Sequence, residues 1–305
     1  MSFHNHPLGF IGTGNMGMGM VQRWLGQGGI AHICDTDAQR QEQGRSLGAQ
    51  VHATPASVVE ALGKGGLLIV TVVTAEQVRD VLWGTHGAVS HLQPGHTVML
   101  CPTISPEDCQ DVGEQLLKLG VNCIDAPMSG GPVRAASGQM SLMVATPMSV
   151  LTAHEAVLHA LADPVFHVSE RVGDGARTKL VNNLLAGIQL VGNAEVLVLA
   201  ERMGLNLQTT LAVIAQSSAQ SWIGSNRMSR ALNQAKDVQA HMSLLSKDTR
   251  LAMQAAQSVG LKPLLGDLAA HTFAQALDAG WANLDDSAML DWLRQRYDEP
   301  EGPHL

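Results

Sequence analysis

Apolar and polar positions follow two different rhythms along the chain, and the rhythm changes near Gly175. From Leu8 to about Ser169, short apolar or β-branched runs alternate with longer helical patterns, which is the order of βαβ units. The candidate strands are LGFIG, AHICD, LLIVTVV, HTVMLC, VNCIDAP, MSLMVAT and VFHVS. Thr54, Thr74 and Ser105 each precede a helical run, as N-cap residues do. This half predicts a mostly parallel sheet with helices on both faces.

After Gly175 the pattern consists of long helical runs without a convincing strand. They are KLVNNLLAGIQLVGNAEVLVLAER, LQTTLAVIAQSSAQSW, SLLSKDTRLAMQAAQSVG and LLGDLAAHTFAQALDAG. In the first run, residues 179–202, apolar side chains occur on nearly all sides of the helix. We therefore expect an all-α second domain with this helix at its centre or at an oligomer contact.

Composition limits the classes of partner. The 305 residues are long enough for about two domains, and the formal net charge of -8 comes with scattered acids and no basic stripe. Nucleic acid is therefore not expected as a partner. The N-terminus lacks a basic segment followed by a long apolar one, and no run of about 18 apolar residues is evident, so we expect a cytoplasmic protein without a membrane span.

Cysteine and histidine spacing argues against disulfides and metal. Cys34, Cys101, Cys109 and Cys123 form no C-x-x-C pair and lie mostly in apolar runs, which predicts buried reduced thiols. The 13 histidines lack the spacing that would bring ligands to one helix face. We expect no metal site.

A glycine-rich turn follows the first candidate strand and opens a helical pattern. In GFIGTGNMGMGM, Gly12 permits the tight turn, Gly14 allows a pyrophosphate to approach the backbone, and Gly17 allows close packing of helix on strand. The next strand ends at Asp35, about 20 residues on, where a ribose-binding acid is expected. The predicted cofactor-binding residues of this region are Gly12, Gly14, Asn15, Met16, Gly17 and Asp35.

The carboxylate at Asp35 indicates NAD rather than NADP as the cofactor. A carboxylate bonds the ribose hydroxyls and repels an additional 2'-phosphate. Arg40, on the following helix, is the one feature that could approach such a phosphate.

Two further segments carry candidate chemistry. In CIDAPMSGGPVRAASG, the hydroxyl of Ser129 and the backbone amides of Gly130 and Gly131 could hold a carboxylate, although a flexible loop fits the same residues. In GDGARTKLVNN, Lys179 lies three and four residues before Asn182 and Asn183, so a helix would bring all three to one face. A lysine facing a cleft can exchange a proton with a substrate hydroxyl, whereas a solvated lysine at a helix start is the alternative.

With these motifs in this order, the chain resembles the β-hydroxyacid dehydrogenase family over essentially its whole length. The matching segments are GFIGTGNMG, DAPMSGGPVRAASG, GDGARTKLVNN and SKD at 246–248. The resemblance implies an α/β chain, with an N-terminal Rossmann-type doubly wound sheet (1–172) and an all-α C-terminal domain (173–296) with a long interdomain helix. We expect a disordered tail over 297–305.

The resemblance also implies an activity and roles for particular residues. Hydride passes between a 3-hydroxy acid and nicotinamide, with Lys179 as the catalytic acid/base and Asn183 as its partner. Ser129, Gly130 and Gly131 hold the substrate carboxylate. The other implied site residues are Thr103, near substrate and nicotinamide, and the K-D pair, of which Lys247 lies near substrate and cofactor and Asp248 near the cofactor.

Local departures refine the resemblance. Asp35-Thr36 stands where NADP-using members carry Asn-Arg, which again favours NAD, and Ala145-Thr146 replaces a usual glycine pair. The segments QSWIGSNRM and NLDDSAML are most similar to the L-threonate dehydrogenase branch. We expect a small hydroxy acid as substrate and a homodimer or homotetramer. The alternatives are an imine reductase-like or 6-phosphogluconate dehydrogenase-like enzyme, and a dinucleotide sensor without catalysis.

Overall fold

The protein folds as two compact units that meet in sequence at Lys179 and Leu180. The structure is a computed structural model and describes Phe3 and residues 6–298. Of the predicted disordered tail, only Tyr297 and Asp298 lie within the described residues, and they form the end of a helix.

The first unit contains one sheet, and all seven predicted strands are present in it. The strands are β1 (Pro7–Ile11), β2 (Ile30–Cys34), β3 (Gln50–Val51), β4 (Leu67–Val70), β5 (Thr97–Leu100), β6 (Asn122–Asp125), β7 (Met128–Ser129), β8 (Ser141–Ala145) and β9 (Val165–Ser169). Their order is β3-β2-β1-β4-β5-β6-β8-β7, with β9 also paired to β8. The run from β3 to β6 is parallel and has the Rossmann strand order.

Two short strands were not predicted, and one part of the sheet is antiparallel. Both β3 and β7 have two residues, too few for an alternating pattern to show in the sequence. Strand β8 runs antiparallel to β6 and β7 and parallel to β9. The prediction of a mostly parallel sheet is confirmed.

Three of the helices described in this unit begin at the predicted caps. The described helices of this unit are α1 (Asn15–Gly26), α2 (Ala38–Ser46), α3 (Pro55–Leu62), α4 (Ala75–Trp83), α5 (Pro106–Lys118), α6 (Gly131–Ser137) and α7 (Met148–Leu161). The side chains of Thr54, Thr74 and Ser105 each accept a hydrogen bond from the backbone N–H three residues on. These bonds satisfy donors that the helix itself leaves unpaired.

Both faces of the sheet are buried, as a parallel sheet requires. Along β4, Leu67 and Ile69 join one apolar cluster, whereas Leu68 and Val70 join the other. Successive side chains of a strand point to opposite faces, so the continuous apolar run LLIV serves two cores. The four cysteines are free and buried, as predicted.

The C-terminal part of the chain is helical. Its helices are α8 (Asp174–Arg202), α9 (Leu207–Ala215), α10 (Trp222–Leu232), α11 (Met242–Ser258), α12 (Leu264–Ala276) and α13 (Met289–Asp298). The prediction of one continuous helix over 207–222 is wrong, because α9 ends at Ala215. A new helix, α10, follows Ser221, whose side chain caps it by accepting a hydrogen bond from the Gly224 N–H. Leu190, Leu197, Phe273 and Trp292 lie in the core of the second unit.

Helix α8 is strongly apolar, as the sequence predicts for residues 179–202. It contains an 18-residue window of mean hydropathy 1.5, and among the described helices only α8 is long and apolar enough to cross a membrane. Polar residues such as Asn183 and Gln189 interrupt the apolar sequence of α8, so the window is not an unbroken apolar run. A core helix of a globular domain passes the same test, and Leu190, Ala194 and Leu197 of α8 are fully buried in the second unit.

A buried ion pair lies in the second unit. Arg227 Nε is 2.5 Å from Asp286 Oδ1, and the two side chains are 7% and 4% exposed. Burial raises the pKa of Asp286 to about 6, against the opposing effect of Arg227. The attraction between Arg227 and Asp286 therefore does not fully offset the loss of hydration of the carboxylate. Burying either charge without the other would destabilise the fold more.

Asp286→Ala is expected to lower the free energy of unfolding by about 3–5 kcal/mol, because it leaves the Arg227 guanidinium buried without its carboxylate. The matched control is Glu42→Ala, which removes the partner of the exposed Arg45 and should change it by less than about 1 kcal/mol. Urea unfolding followed by circular dichroism measures both. Equal losses in the two variants would contradict this account.

Candidate active site

The glycine turn lies between β1 and α1 and is shaped by contacts with β2 and β4. Gly12 has a φ of 84°, a conformation that favours glycine, and its N–H donates to the Cys34 carbonyl at 2.9 Å. The Thr71 hydroxyl donates to the Gly12 carbonyl. A side chain at Gly17 would collide with these same two groups, so only glycine fits there.

Gly14 has a different environment, and this difference indicates a ligand. A Cβ built on Gly14 would meet no protein atom within 4 Å. Gly14 is also the N-cap of α1, and as a glycine it makes no side-chain cap at the start of this helix. Open space at the N-terminus of a helix fits the pyrophosphate of a dinucleotide.

Asp35 follows β2 and is held against the turn. Its Oδ2 accepts hydrogen bonds from the Thr13 N–H at 2.5 Å and the Thr13 hydroxyl at 3.0 Å, and its Oδ1 accepts from the Asp37 N–H at 2.9 Å. A carboxylate offers about four lone-pair positions, so an oxygen of Asp35 can still accept from a ribose hydroxyl. Thr13, which the sequence analysis did not single out, fixes this carboxylate.

Arg40 also lies beside the turn. Its Nη2 donates to the Asn15 side-chain oxygen at 2.8 Å. Arg40 is five residues after Asp35 in the sequence, and its side chain is hydrogen-bonded to the first residue of α1. From the sequence, Arg40 is a residue that could approach the 2'-phosphate of NADP. Its hydrogen bond to Asn15 holds it beside the glycine turn.

The segment after β6 forms a short strand and a double-glycine turn. Ser129 ends β7 and is half-buried, and its carbonyl accepts from the Ser141 hydroxyl at 3.4 Å. Gly130 and Gly131 have φ values of 134° and 78°, and a Cβ at Gly131 would meet no protein atom within 4 Å. Both φ values favour glycine, and the open space at Gly131 leaves room beside the turn for an anion.

Lys179 lies in the second turn of α8 and is buried, with 7% of its surface exposed. Asn183 follows one turn later and is 8% exposed. Asn182 is exposed, unlike the other two, although its side chain donates to Asn183 Oδ1 at 2.9 Å. The predicted grouping of three polar side chains on one face therefore holds for Lys179 and Asn183, and Asn182 lies at its border.

A chain of polar contacts in the second unit fixes Asn183. Its Nδ2 donates to Asp248 Oδ2 at 2.6 Å, and Lys247 Nζ lies 2.8 Å from Asp248 Oδ1. Lys247 and Asp248 belong to α11, so this chain joins α11 to α8. The K-D pair and Asn183, which the sequence named separately, are thus in contact.

Two threonines, Thr103 and Thr146, also bear on the proposed substrate segment. Thr103 is half-buried in the loop between β5 and α5. Thr146, at the usual glycine-pair position, is buried and its hydroxyl donates to the Cys123 carbonyl at 2.9 Å. The threonine therefore joins β8 to β6.

Asp125 lies at the end of β6, in the segment CIDAPMSGGPVRAASG, and the sequence predicts no role for it. Its side chain is 1% exposed, and its Oδ2 accepts from the Gly173 N–H at 2.8 Å and the Ala176 N–H at 3.1 Å. Burial raises the pKa of Asp125 to about 6, although the hydrogen bonds from the backbone N–H groups oppose this. An acid at the end of an apolar strand was the only sequence signal for it.

Family models account for nearly all of the chain. Residues 7–169 match the NAD-binding domain of 6-phosphogluconate dehydrogenase, and residues 173–293 match the NAD-binding domain of NADP-dependent 3-hydroxyisobutyrate dehydrogenase.

Individual relatives align over almost their full length. An L-threonate dehydrogenase of Cupriavidus necator is 32% identical over 93% of this chain and 94% of its own. The mitochondrial 3-hydroxyisobutyrate dehydrogenase of Homo sapiens is 28% identical over 95% of this chain and 87% of its own.

Solved structures agree with these matches. A 3-hydroxyisobutyrate dehydrogenase from Salmonella typhimurium superposes with a TM-score of 0.86 at 31% identity, covering 94% of this chain and all of the other. An imine reductase from Myxococcus stipitatus, at 18% identity over 95% of this chain and 99% of its own, with a TM-score of 0.62, shares the fold. The chain is an oxidoreductase that uses a nicotinamide dinucleotide. It belongs to the β-hydroxyacid dehydrogenase family.

Proposed function

We propose that the protein oxidises the hydroxyl group of a 3-hydroxy carboxylate or a related sugar acid, with NAD as the cofactor and Lys179 as the acid/base. The observation that carries this proposal is the burial of Lys179 in the second turn of α8. Long charged side chains are seldom buried unless they serve a ligand or an ion pair. In this role, the Lys179 amine takes the proton from the substrate hydroxyl.

Asn183 would orient the reacting groups. Because a carboxylate only accepts hydrogen bonds, Asp248 fixes the amide nitrogen of Asn183 toward itself and the amide oxygen away. That oxygen accepts one hydrogen bond from Asn182 and keeps a second lone pair. We assign this lone pair to the substrate hydroxyl or to the Lys179 ammonium.

The substrate carboxylate would bind at the double-glycine turn. The Ser129 hydroxyl and the N–H groups of Gly130 and Gly131 are its donors in this proposal, and the open space at Gly131 supports it. Thr103 and Lys247 complete the proposed substrate contacts, a role that rests on the family motifs.

The dinucleotide would be held mainly by the glycine turn. Gly12, Gly14 and the N–H groups of Asn15, Met16 and Gly17 would contact its pyrophosphate, and Asp35 its ribose. Thr103, Lys247 and Asp248 are proposed to lie near the nicotinamide end. When bound, the oxidised cofactor supplies the acceptor for the hydride from the carbon that carries the hydroxyl.

L-threonate is the first substrate to test, because five relatives at 30–32% identity carry that name. 3-Hydroxyisobutyrate is the second, since proteins named for it are 27–31% identical to this chain. The screen follows dinucleotide reduction with L-threonate, 3-hydroxyisobutyrate, D-glycerate, L-serine and 4-hydroxybutyrate. 6-Phosphogluconate is tested in the same way, and a cyclic imine with the reduced cofactor. Turnover of the imine alone would favour the imine reductase alternative, and binding of NAD without any turnover would favour a sensor.

Lys179→Ala is expected to lower kcat on the preferred hydroxy acid by about 10²–10⁴-fold, the usual contribution of a general acid or base. The dissociation constant for NAD should stay within about threefold, since the glycine turn is unchanged. Steady-state kinetics and isothermal titration calorimetry measure the two effects. Lys64→Ala, at an exposed lysine, is the control, and normal turnover in the Lys179 variant would end the assignment.

Asp35→Asn is expected to lower the preference for NAD over NADP, measured as the ratio of the two kcat/KM values, by about tenfold or more. Removing one like charge beside a 2'-phosphate is worth about 1.4 kcal/mol or more, and Arg40 lies nearby to bind that phosphate. The control is Asp37→Asn, two residues on, where asparagine also serves as an N-cap. An unchanged ratio in the Asp35 variant would contradict the proposed basis of the preference.

We also infer a cytoplasmic homodimer or homotetramer. Four apolar residues of α8 are each more than two-fifths exposed: Val181, Leu185, Val196 and Leu199. Because successive helix residues are about 100° apart, these four lie within about 60° of one another around the helix axis. An exposed apolar stripe of this kind is typical of an interface between protein chains.

Leu199→Glu is expected to shift the protein in solution toward the monomer, because a carboxylate is costly to bury at an apolar contact. Light scattering during size-exclusion chromatography measures the mass, which is 32.3 kDa for one chain. Leu117→Glu, at an exposed leucine of α5, should leave the mass unchanged. A monomeric unaltered protein would contradict the inference.

A further inference from the structure

We propose that Asp125 is a positioning residue that sets the location of Lys179 relative to the Ser129 turn, by anchoring the first turn of α8 to the end of β6. This inference rests on the function proposed above. Its basis is the pair of hydrogen bonds that the buried carboxylate accepts from the start of the helix that carries Lys179.

The anchor is short in both directions along the chain. Asp125 is four residues before Ser129. It accepts a hydrogen bond from the N–H of Ala176, which is three residues before Lys179. Residues three apart on a helix lie on neighbouring positions of one face. One carboxylate therefore connects the proposed carboxylate-binding turn to the proposed acid/base through very few rotatable bonds.

Packing around Gly175 reinforces the anchor. A Cβ at Gly175 would lie 2.7 Å from the Met143 carbonyl oxygen, 2.8 Å from Asp125 Cγ and 2.9 Å from the Asp125 carbonyl oxygen. These are separations that side-chain carbons do not adopt, and two of the three atoms are backbone. The first turn of α8 is thus pressed against β6 and β8 so closely that only glycine fits.

The surroundings of Asp125 leave few other ways to satisfy its charge. The thiols of Cys101, Cys109 and Cys123 lie near Asp125, and the thiol of Cys109 donates to the carboxylate. Thiols are weak donors, so the backbone N–H groups of the helix start are its main partners. The positive end of the α8 dipole also favours a carboxylate at this place.

The N–H of Gly173, directly before α8, and the N–H of Ala176, in its first turn, both bond Oδ2, and this suggests a discriminating pair of variants. Asp125→Asn can present its amide oxygen at that position and keep both bonds, whereas Asp125→Ala loses both. We expect Asp125→Ala to lower kcat at least tenfold, since a displacement of about 1 Å at a reacting group can cost 10²-fold. The KM for NAD should change less than about threefold, and Asp125→Asn should retain most of the kcat.

Two further variants separate positioning from stability. Asp174→Ala removes the side-chain contacts of the same helix start with Ser169, Arg171 and Arg177 while keeping the Asp125 bonds, so it should lower the thermal midpoint and leave kcat unchanged. Gly175→Ala forces α8 away from Asp125 and should lower kcat as Asp125→Ala does. If Asp125→Ala does not fold, Gly175→Ala and Asp125→Asn decide the matter.

Hydrogen–deuterium exchange supplies a readout that does not need turnover. Asp125→Ala and Gly175→Ala should speed exchange at the amides of residues 173–179, and Asp125→Asn should not. The inference is overturned if Asp125→Ala keeps a kcat within twofold of the unaltered enzyme, or if Asp125→Asn loses as much kcat as Asp125→Ala. Failure of the proposed function gives a different result, namely no turnover of any hydroxy acid by the unaltered protein, or normal turnover by Lys179→Ala.

Discussion

The parallel order of strands in the first unit constrains where chemistry can occur in it. In a parallel sheet all carboxyl ends lie along one edge, and ligands of such sheets bind outside that edge. Gly12 follows β1, Asp35 follows β2, Thr71 follows β4, Thr103 lies beyond β5 and Ser129 lies beyond β6. Residues far apart in the sequence are therefore brought to one edge by the fold alone.

Local hydrogen bonds then turn this shared edge into specific geometry. Thr13 fixes Asp35, Thr71 fixes the Gly12 carbonyl, and Asn15 is bonded to Arg40. Each bond joins two segments that are at least 22 residues apart. Because these groups are each held by a second group, the glycine turn has a fixed geometry, as the proposed dinucleotide site requires.

The second unit uses the same principle with a different set of residues. Asp248 receives Asn183 on one oxygen and Lys247 on the other, so its charge is compensated although it is buried. A buried carboxylate with both oxygens engaged holds its neighbours in one orientation. The orientation of the Asn183 amide, which the proposed mechanism needs, follows from this arrangement.

Much of the fold was predictable because its signals are local. The seven longer strands and the caps at Thr54, Thr74 and Ser105 depend on short stretches of sequence. The two-residue strands β3 and β7 were missed because two residues carry no period, and the break after Ala215 was missed because QSSAQ continues a polar helical pattern.

The candidate site was predictable in its residue types but not in its contacts. Motifs pointed to Lys179, Asn183 and the K-D pair, whereas the bond between Asn183 and Asp248 spans 65 residues and leaves no local signal. The role of Asp125 is similarly non-local, since its partners lie 48 and 51 residues away. Asn182 was grouped with its neighbours by spacing alone, and spacing does not determine which side of a helix is covered.

The buried cysteines have a practical consequence for the chemistry of the chain. Burial raises the pKa of the Cys34 thiol to about 11, and raises those of Cys101, Cys109 and Cys123 as well. Alkylating reagents and peroxide attack thiolates, and these thiols are both protonated and shielded. Labelling by a maleimide dye will therefore report the opening of the Rossmann unit, so the protein carries four native probes of its own unfolding.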